Sequence, residues 1–392
     1  MRPTPGSFRI IGLTGCVALT AALLVFAQVR AQAPAPAQPV RTAEQQFKNI
    51  KVLKGTPAAQ LTVGMHLVEG ALGVDCEYCH YEAENDFAKD GKEPKETARK
   101  MMAMVAEINK NNFDGKQVVT CYTCHHGNNQ PVGVPILPDT LAMITPYGAE
   151  SPKPALPTAD QILAKYVQAV GGEQAIRKVT SRVVTATRDV PTGPGGTVAM
   201  PAQAEQYQKA PNLTVNIVHT ATATTSDGFD GTAAWAQNAA GVVADAPNPD
   251  QDRAKRSANL YESADLKKEY SRMDVRGVES VNGRSAYQVV GFPANDSPEW
   301  LYFDVTTGLL VRKRTVLQSP LGEMPFETDY DDYRDTGSGV KIPFWIRMIP
   351  ASPRSAFASR SSIRIQKVQD NVPVDDGKFM KPASKPQPPP RP

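Results

Sequence analysis

Two stretches of the chain repeat one spacing of cysteine and histidine. Each has two cysteines three positions apart and a histidine directly after the second; the residues are Cys76, Cys79 and His80, and Cys121, Cys124 and His125. On a helical turn, positions i, i+3 and i+4 share a face. Two thiols can therefore bond to one edge of a porphyrin while the histidine lies under its iron. C-x-x-C-H is the signature of c-type haem attachment, so the sequence predicts two covalently attached c-type haems.

Other uses of paired cysteines explain less. Zinc sites built from two C-x-x-C pairs usually have about 15–20 residues between the pairs, whereas Cys79 and Cys121 are much farther apart. A zinc site would also leave the two histidines unexplained. A thioredoxin-like redox pair or structural disulfides would not account for a doubled motif with a trailing histidine. The haem interpretation therefore remains the prediction.

Residues 1–33 have the pattern of an export signal. Arg2 and Arg9 supply a positive start, the run from Ile10 to Val29 is largely apolar, and Ala31-Gln32-Ala33 is a cleavage sequence. Export agrees with the haem prediction, because c-type haems are attached outside the cytoplasm. We expect a periplasmic protein, or one on the outer face of a membrane.

Two alternatives to cleavage stay open at the start of the chain. The apolar run could remain as a membrane anchor, or Cys16 could be lipidated, since it follows Leu13-Thr14-Gly15.

Length and composition allow more than one domain: 392 residues exceed one typical domain and 41% hydrophobic content suffices for a core. A net charge of +3 gives no indication of a nucleic-acid partner.

An apolar stripe precedes the first motif at helical spacing. It comprises Leu61, Met65, Val68 and Leu72, and Gly73 can end the helix after it. Thr56-Pro57 is a typical helix start, with threonine at the N-cap. A methionine thioether can complete the coordination of a haem iron, so Met65 is the predicted sixth ligand. His66 is the rival, and a role for Met65 as core filler is the structural alternative.

A second predicted helix, from Pro94 to Asn111, precedes the second motif. Its apolar stripe comprises Met101, Met104, Val105 and Ile108. Helix followed by loop and C-x-x-C-H thus occurs twice, which indicates an internal repeat. Met101 and Met104 share a face and both could bind iron, whereas Met102 is turned by about 100° from Met101. Helix geometry alone leaves Met101 and Met104 open.

At these residues the chain resembles the cytochrome c subunit of photosynthetic reaction centres. The resemblance covers about residues 45–135 and rests on the segments Gly73–His80, Ala98–Met104, Ile108-Asn109 and Val119–Gly127. It implies an electron carrier and places methionine ligands at Met65 and Met101. That family carries four haems in two pairs; this chain has motifs for the first pair. The loop 111–119 has no histidine where the family supplies the sixth ligand of its fourth haem, and position 126 is histidine where the family usually has arginine.

Prolines and a change of periodicity separate this region from the rest. We predict the export signal at 1–33, a flexible lead-in at 34–44, a mainly helical two-haem cytochrome domain at 45–130, a proline-rich linker at 131–157, a β-rich domain at 158–380 and a disordered tail at 381–392. Thr158-Ala159-Asp160-Gln161 is a capping box that begins a helix. Alternating segments then predict strands at 179–189, 203–209, 213–220, 285–291, 299–305, 309–317 and 342–349, with hairpin turns at Asn282-Gly283 and Thr307-Gly308.

The predicted fold is α+β and multidomain, with a curved antiparallel half-barrel sheet and one or two helices after the cytochrome domain. The segments Ala286–Val290, Leu301–Leu310 and Asp331–Arg334 make residues 158–380 resemble periplasmic lipoprotein carriers. This resemblance implies a concave face that could hold an apolar ligand. The run Asp329–Asp332 is predicted to be a solvated turn, and His219 a surface strand residue.

The sequence thus predicts an exported electron-transfer protein and no enzyme. Its expected partners are redox proteins of the periplasm, among them a membrane reaction centre or another oxidoreductase. The alternatives are an enzyme in which one haem has an open axial site, and a lipid- or lipoprotein-binding protein with an accessory haem domain.

Overall fold

The computed structural model describes residues 41–81, 84, 86–131, 133, 155–192, 198–246, 250–350 and 361–386. The predicted export signal, most of the lead-in, most of the proline-rich linker and the last residues of the tail lie outside the described residues. Within the described ranges, no helix has the length and hydropathy needed to cross a membrane.

Five helices form the N-terminal region. They are α1 (Ala43–Gln46), α2 (Ala58–Leu72), α3 (Cys76–Cys79), α4 (Glu93–Asn112) and α5 (Cys121–His125). As predicted, α2 ends at Gly73, which is left-handed at φ 66°. Its N-cap is Pro57 and the predicted cap Thr56 does not cap it. The carbonyl of Thr56 instead accepts a hydrogen bond from Ala43 N at 2.7 Å, which fixes α1 beside the start of α2.

Four further helices precede or interrupt the strands. They are α6 (Ala159–Ala169), α7 (Glu173–Lys178), α8 (Asp250–Ser257) and α9 (Glu262–Asp265), with 3-10 turns at Leu266–Glu269 and Asp376–Phe379. The predicted capping box at the start of α6 is formed. Thr158 Oγ1 accepts from Gln161 N at 3.2 Å, and Gln161 Oε1 accepts from Thr158 N at 2.9 Å.

The described strands form one antiparallel sheet. They are β1 (Ser181–Thr192), β2 (Val198–Lys209), β3 (Leu213–His219), β4 (Thr224–Phe229), β5 (Ala234–Gln237), β6 (Val243–Asp245), β7 (Arg272–Val281), β8 (Arg284–Phe292), β9 (Glu299–Asp304), β10 (Leu310–Ser319), β11 (Gly322–Asp335), β12 (Lys341–Pro350) and β13 (Ser361–Asp370). Their spatial order is β6-β5-β4-β3-β2-β1-β13-β12-β11-β10-β9-β8-β7. The predicted α+β class with an open antiparallel sheet is confirmed. The hairpin predicted at Asn282-Gly283 joins β7 to β8.

One pairing in the sheet is distant in sequence. Every hydrogen-bonded pair joins strands that follow one another along the chain, except that β13 returns to pair with β1. Arg182 and Asp370 are opposite each other in this pair and form a buried ion pair at 2.7 Å. The first and last strands thus meet in the middle of the sheet.

The main apolar core lies between the short helices and one face of β8–β10. Ile162 and Tyr166 of α6 and Ile176 of α7 pack in one buried cluster with Leu301 and Phe303 of β9. A second apolar cluster joins α2 and α4 to β10 and β11. At the end of the chain, Val243 N donates to Ser384 Oγ at 2.9 Å, so residues 381–386 run beside β6.

The charged run predicted as a solvated turn lies inside β11, and that prediction is wrong. Asp329 has 2% of its surface exposed and pairs with Arg312 of β10 at 2.5 Å and Arg347 of β12 at 3.1 Å. Two guanidinium groups from the flanking strands supply the charge that a buried carboxylate needs. No property of β11 alone indicates them. His219 is an exposed residue at the end of β3, as expected.

A second buried carboxylate organises the helix-covered side of the sheet. Glu299 of β9 contacts Lys313 at 2.8 Å and Arg256 at 2.8 Å, and accepts a hydrogen bond from Tyr270 Oη at 2.6 Å. Burial by itself would raise the pKa of Glu299. The charges of Lys313 and Arg256 and the hydrogen bonds from Lys313 and Tyr270 together outweigh burial and lower the pKa to about 2.

The change Glu299→Gln is expected to destabilise the protein by about 3–5 kcal/mol near neutral pH, because it leaves buried cations without their counter-charge. A lowered carboxyl pKa contributes stability above the unfolded-state value near 4.5, and that contribution is lost as the pH falls towards 2. The difference in unfolding free energy between wild type and variant should therefore shrink over this interval. Urea unfolding at several pH values measures it. Glu173→Gln, which alters an exposed helix pair, is the control; a difference that does not change with pH would contradict this assignment.

Candidate functional site

The first C-x-x-C-H motif forms a short helical turn with its own cap. Asp75 is the N-cap of α3, and its carboxylate accepts from Tyr78 N at 3.1 Å. Cys76 and Cys79 are the first and last residues of the turn, and His80 follows directly as its C-cap. The two thiols and the imidazole therefore lie along one turn, as the spacing predicted.

The ring of His80 is held by a backbone carbonyl. Its Nδ1 lies 3.0 Å from Phe87 O. A carbonyl oxygen only accepts, so Nδ1 carries the proton and Nε2 keeps its lone pair when the ring is neutral. Burial lowers the pKa of His80, which favours the neutral ring. This is the tautomer that a metal ligand needs.

Lys95 of α4 fixes the loop that supplies this carbonyl. Its ammonium group donates to Phe87 O at 3.0 Å, Ala88 O at 3.2 Å and Lys89 O at 2.7 Å. Only 7% of Lys95 is exposed, and burial lowers its pKa. A buried cation that saturates three carbonyls gives the 87–89 loop a fixed shape, and with it the orientation of His80.

The second motif also forms a short helical turn, with a different N-cap. Thr120 is the N-cap of α5, and Thr120 with Thr123 forms a capping box. Cys121 and Cys124 again lie three positions apart on the turn. Nδ1 of His125 lies 2.9 Å from Asn128 O, so the same argument assigns the proton to Nδ1 and the lone pair to Nε2.

Asn109 of α4 clamps the segment that leads into the second motif. Its Oδ1 accepts from Val118 N at 3.1 Å and Val119 N at 2.9 Å, and its Nδ2 donates to Val119 O at 2.7 Å. Asn109 is 6% exposed. Three hydrogen bonds from one buried amide side chain fix where α5 starts relative to α4.

The two motifs meet at the C-terminal end of α2. Gly127, just after the second motif, donates its N–H to Ala71 O of α2 at 2.8 Å. Asn129 Nδ2 lies 3.4 Å from Tyr78 Oη in the first turn. Two haems bound at these turns would be held by the same helix end.

A buried carboxylate lies beside the first turn. Glu69 of α2 is 7% exposed; its Oε2 lies 2.7 Å from His66 Nδ1, and its Oε1 accepts from Cys76 Sγ at 3.0 Å. A thioether sulfur cannot donate, so haem attachment to Cys76 would end the second contact and retain the first. A carboxylate charge at this depth favours the ferric state of a neighbouring haem.

The four methionines that compete as sixth ligands have different surroundings. Met102 is 9% exposed and packs with Leu67 and Val68, so it belongs to the core. Met101 and Met104 lie on the other side of α4, exposed by 36% and 43%. Met65 is half-buried at the edge of the second apolar cluster. Met102 therefore differs from Met101 and Met104 in being buried. Met65, Met101, His80 and His125 remain predicted iron ligands.

The donor set and the surface around it fit a haem. Paired cysteines on one turn and an imidazole with a free Nε2 lone pair are the groups that hold a c-type haem. Large apolar side chains on and between α3, α4 and α5 are also exposed; they are Tyr78, Phe87, Met101, Met104, Val118 and Tyr122. Within the described residues, no cluster of three or more His, Cys, Asp or Glu side chains could hold a bare metal ion.

Sequence reasoning missed Lys95, Asn109 and Glu69. Lys95 and Glu69 occur on amphipathic helices, where a charged residue normally faces water, and their burial depends on loops that the helical pattern does not specify. Asn109 did occur in a segment of the family resemblance. Its clamp on residues 118 and 119 was not foreseen.

Known cytochromes are similar to the part of the chain that contains the two C-x-x-C-H motifs. Residues 17–151 match the family model of the photosynthetic reaction centre cytochrome C subunit. The chain is 41% identical over 90 residues to cytochrome c-554 of Chloroflexus aurantiacus, covering 21% of this chain and 20% of the relative. It is 37% identical over 93 residues to the photosynthetic reaction center cytochrome c subunit of Rubrivivax gelatinosus, covering 23% and 25%. The predicted resemblance is confirmed, and the chain spans a quarter or less of the length of these relatives.

Solved structures of other proteins are similar to part of the chain. A DUF1329 family protein from Desulfovibrio piger has a TM-score of 0.40 at 14% identity, with 56% of this chain and 97% of that chain covered. A LolA superfamily protein from Nitrosomonas europaea has a TM-score of 0.41 at 13% identity, with 58% and 99% covered. At these values the likeness says nothing about a ligand of this chain.

Replacing Asn109 by alanine tests the clamp on the second motif. The variant removes the three hydrogen bonds of Asn109 to Val118 and Val119, and each such bond contributes about 0.5–1.5 kcal/mol. We expect a lower melting temperature and a smaller fraction of protein with a covalent group at Cys121 and Cys124. Thermal unfolding and peptide mass analysis measure the two effects. Asn112→Ala removes an exposed bond on the same helix and is the control; equal losses in both variants would contradict the clamp.

Proposed function

We propose that the chain is an exported c-type cytochrome with two covalent haems, one at each C-x-x-C-H turn, that carries electrons one at a time between redox partners. The proposal rests on one observation: Nδ1 donates a hydrogen bond to a backbone carbonyl in both His80 and His125. This leaves Nε2 of both rings for iron at two turns that already present paired cysteines. The match of residues 17–151 to a cytochrome family supports the same function.

The residues of the chain have separate tasks in this function. A haem supplies one-electron chemistry at its iron. Cys76 with Cys79, and Cys121 with Cys124, hold the two macrocycles; burial raises the pKa of Cys79 and Cys121, so these thiols are protonated near neutral pH before attachment.

The histidines and methionines set the axial environment. Phe87 O and Asn128 O orient His80 and His125, and Met65 and Met101 are the proposed sixth ligands. A thioether on the free axial side raises the potential and favours electron transfer. With a histidine and a methionine bound, neither iron would have a place for a substrate, as expected of an electron carrier.

The proposed location and partners follow from the export signal and the family. Residues 1–33 would send the chain to the periplasm or the outer face of a membrane. Its partners would be periplasmic redox proteins, a membrane reaction centre or another oxidoreductase, and such redox encounters are typically small and transient. An apolar ligand in the C-terminal region remains a separate prediction. The cavity beside α6, of ≈ 190 Å³, includes Lys165 and Asp304 in its lining and is smaller than typical ligand pockets of about 300–1,000 Å³.

The exported protein should have a mass two haems above that of the polypeptide, and the colour should survive acid extraction. A redox titration should show two one-electron steps. The double change Cys121→Ala with Cys124→Ala should remove one haem and one step, because the other turn keeps its own cysteines. A colourless protein that contains zinc would overturn the proposal. Rapid binding of carbon monoxide to the reduced wild type would favour the alternative of a haem enzyme with an open axial site.

Substitution of two exposed methionines on one face of α4 tests which residue is the sixth ligand of the second haem. Met101→Ala should abolish the methionine–iron absorption of one haem, lower its potential and open it to carbon monoxide, since alanine has no donor atom. Met104→Ala is the matched control, equally exposed on the same face, and should leave both potentials nearly unchanged. Met102→Ala should instead cost about 2–5 kcal/mol of stability through a cavity. Loss of the ligand signal in Met104→Ala alone would show that the ligand is one turn farther along α4.

A further inference from the structure

The tip of the β10–β11 hairpin is buried against the N-terminal helices. Hairpin tips normally lie in solvent and are polar, yet Leu321 at this tip is 6% exposed. It packs in one cluster with Leu67 of α2, Met102 of α4 and Met324 of β11. Gly64 of α2 lies beside the same side chain, since a Cβ at that position would be in ordinary van der Waals contact with Leu321 Cδ1 at 3.5 Å. The contact is therefore a packed interface.

The same tip reaches the segment that carries the second motif. Gln117 Nε2 donates to Pro320 O at 2.6 Å. A Cβ added at Gly322 would lie 2.9 Å from Thr120 Cγ2, closer than side chains normally pack. Thr120 is the N-cap of α5, and Cys121 packs against the cluster that contains Leu321. The hairpin tip thus touches the residue that starts the second haem-binding turn.

We propose that the β10–β11 tip is a positioning element for the second haem-binding turn, through which the C-terminal sheet sets the environment of the haem bound there more than that of the other. The contacts described above all involve α2, α4 or residues 117–121, and the first turn, Cys76–His80, has its own support from Lys95 and Phe87. The part of this inference that concerns haem rests on the proposed function. The part that concerns the turn itself does not.

The steric fit of Gly322 against Thr120 gives a direct test in the full-length protein. Gly322→Ala introduces the Cβ that meets Thr120 Cγ2. We expect hydrogen exchange of residues 117–126 to become about tenfold faster, the size of effect that overpacking of a well-packed contact produces. Exchange of residues 73–81 should not change. In a redox titration, the step that disappears in the Cys121→Ala, Cys124→Ala protein should shift more than the other step.

A second substitution distinguishes the effect of this contact from the effect of general strain. The added Cβ would also lie 3.2 Å from Leu67 Cδ2, and Gly322 has a φ of 135°. Thr120→Ser removes Cγ2 and keeps the capping hydroxyl, so Gly322→Ala combined with Thr120→Ser should restore part of the change in exchange and potential, while the contact with Leu67 remains. Gly283→Ala is the matched control, because Gly283 is a hairpin glycine with positive φ and no atom within 4 Å of an added Cβ. If Gly322→Ala fails to fold, Gln117→Ala, which removes only the bond to Pro320 O, should shift the same redox step by a smaller amount.

The outcomes distinguish the two proposals. Equal shifts of both haems, no restoration by Thr120→Ser, or the same effect from Gly283→Ala would overturn the positioning role. A protein without haem that still shows the selective and rescued change in hydrogen exchange would overturn the proposed function and retain the contact between hairpin tip and turn.

Discussion

Both C-x-x-C-H turns are connected to the C-terminal end of α2. Gly73 ends the helix with a left-handed residue and directs the chain into the first turn, while the carbonyl of Ala71, near the end of the same helix, accepts from Gly127 behind the second turn. A carbonyl in the last turn of a helix has no partner within the helix. The second motif thus satisfies a group that the helix leaves open, and the distance between the two turns depends on this one helix end.

Each turn then needs an orienting contact of its own. In both cases the contact is a backbone carbonyl facing Nδ1 of the histidine, and in both cases α4 supplies the side chain that steadies the surrounding segment: Lys95 for the first turn and Asn109 for the second. Both are 7% exposed or less. One helix therefore carries the supports of two sites, through a buried cation in one case and a buried amide in the other.

The sequence predicted what depends on local pattern. The spacing of cysteine and histidine identified both turns, apolar periodicity located α2 and α4, and the Asn282-Gly283 pair located a hairpin. Strands with clear alternation, such as β3 and β8, were found within a residue or so. The strands β4–β7, β11 and β13 were not, because their sequences do not alternate cleanly between apolar and polar residues. β11 is the instructive case: Asp329 is buried because Arg312 and Arg347 come from neighbouring strands, and a pairing between strands cannot be read from one of them.

The pairing of β13 with β1 means that the sheet has an order of assembly. A chain is made and exported from its N-terminus, and domains generally fold as units in that order. β1 has a partner in β2 at once, but its other edge stays without a strand until residues 361–370 arrive. Contacts between residues so far apart in sequence form slowly. The cysteines of the two turns precede the first strand, so in the proposed export they would reach the outer compartment before the sheet is complete. The N-terminal helices could therefore receive the proposed haems first, and the second turn would reach its final position only when the β10–β11 hairpin packs against it.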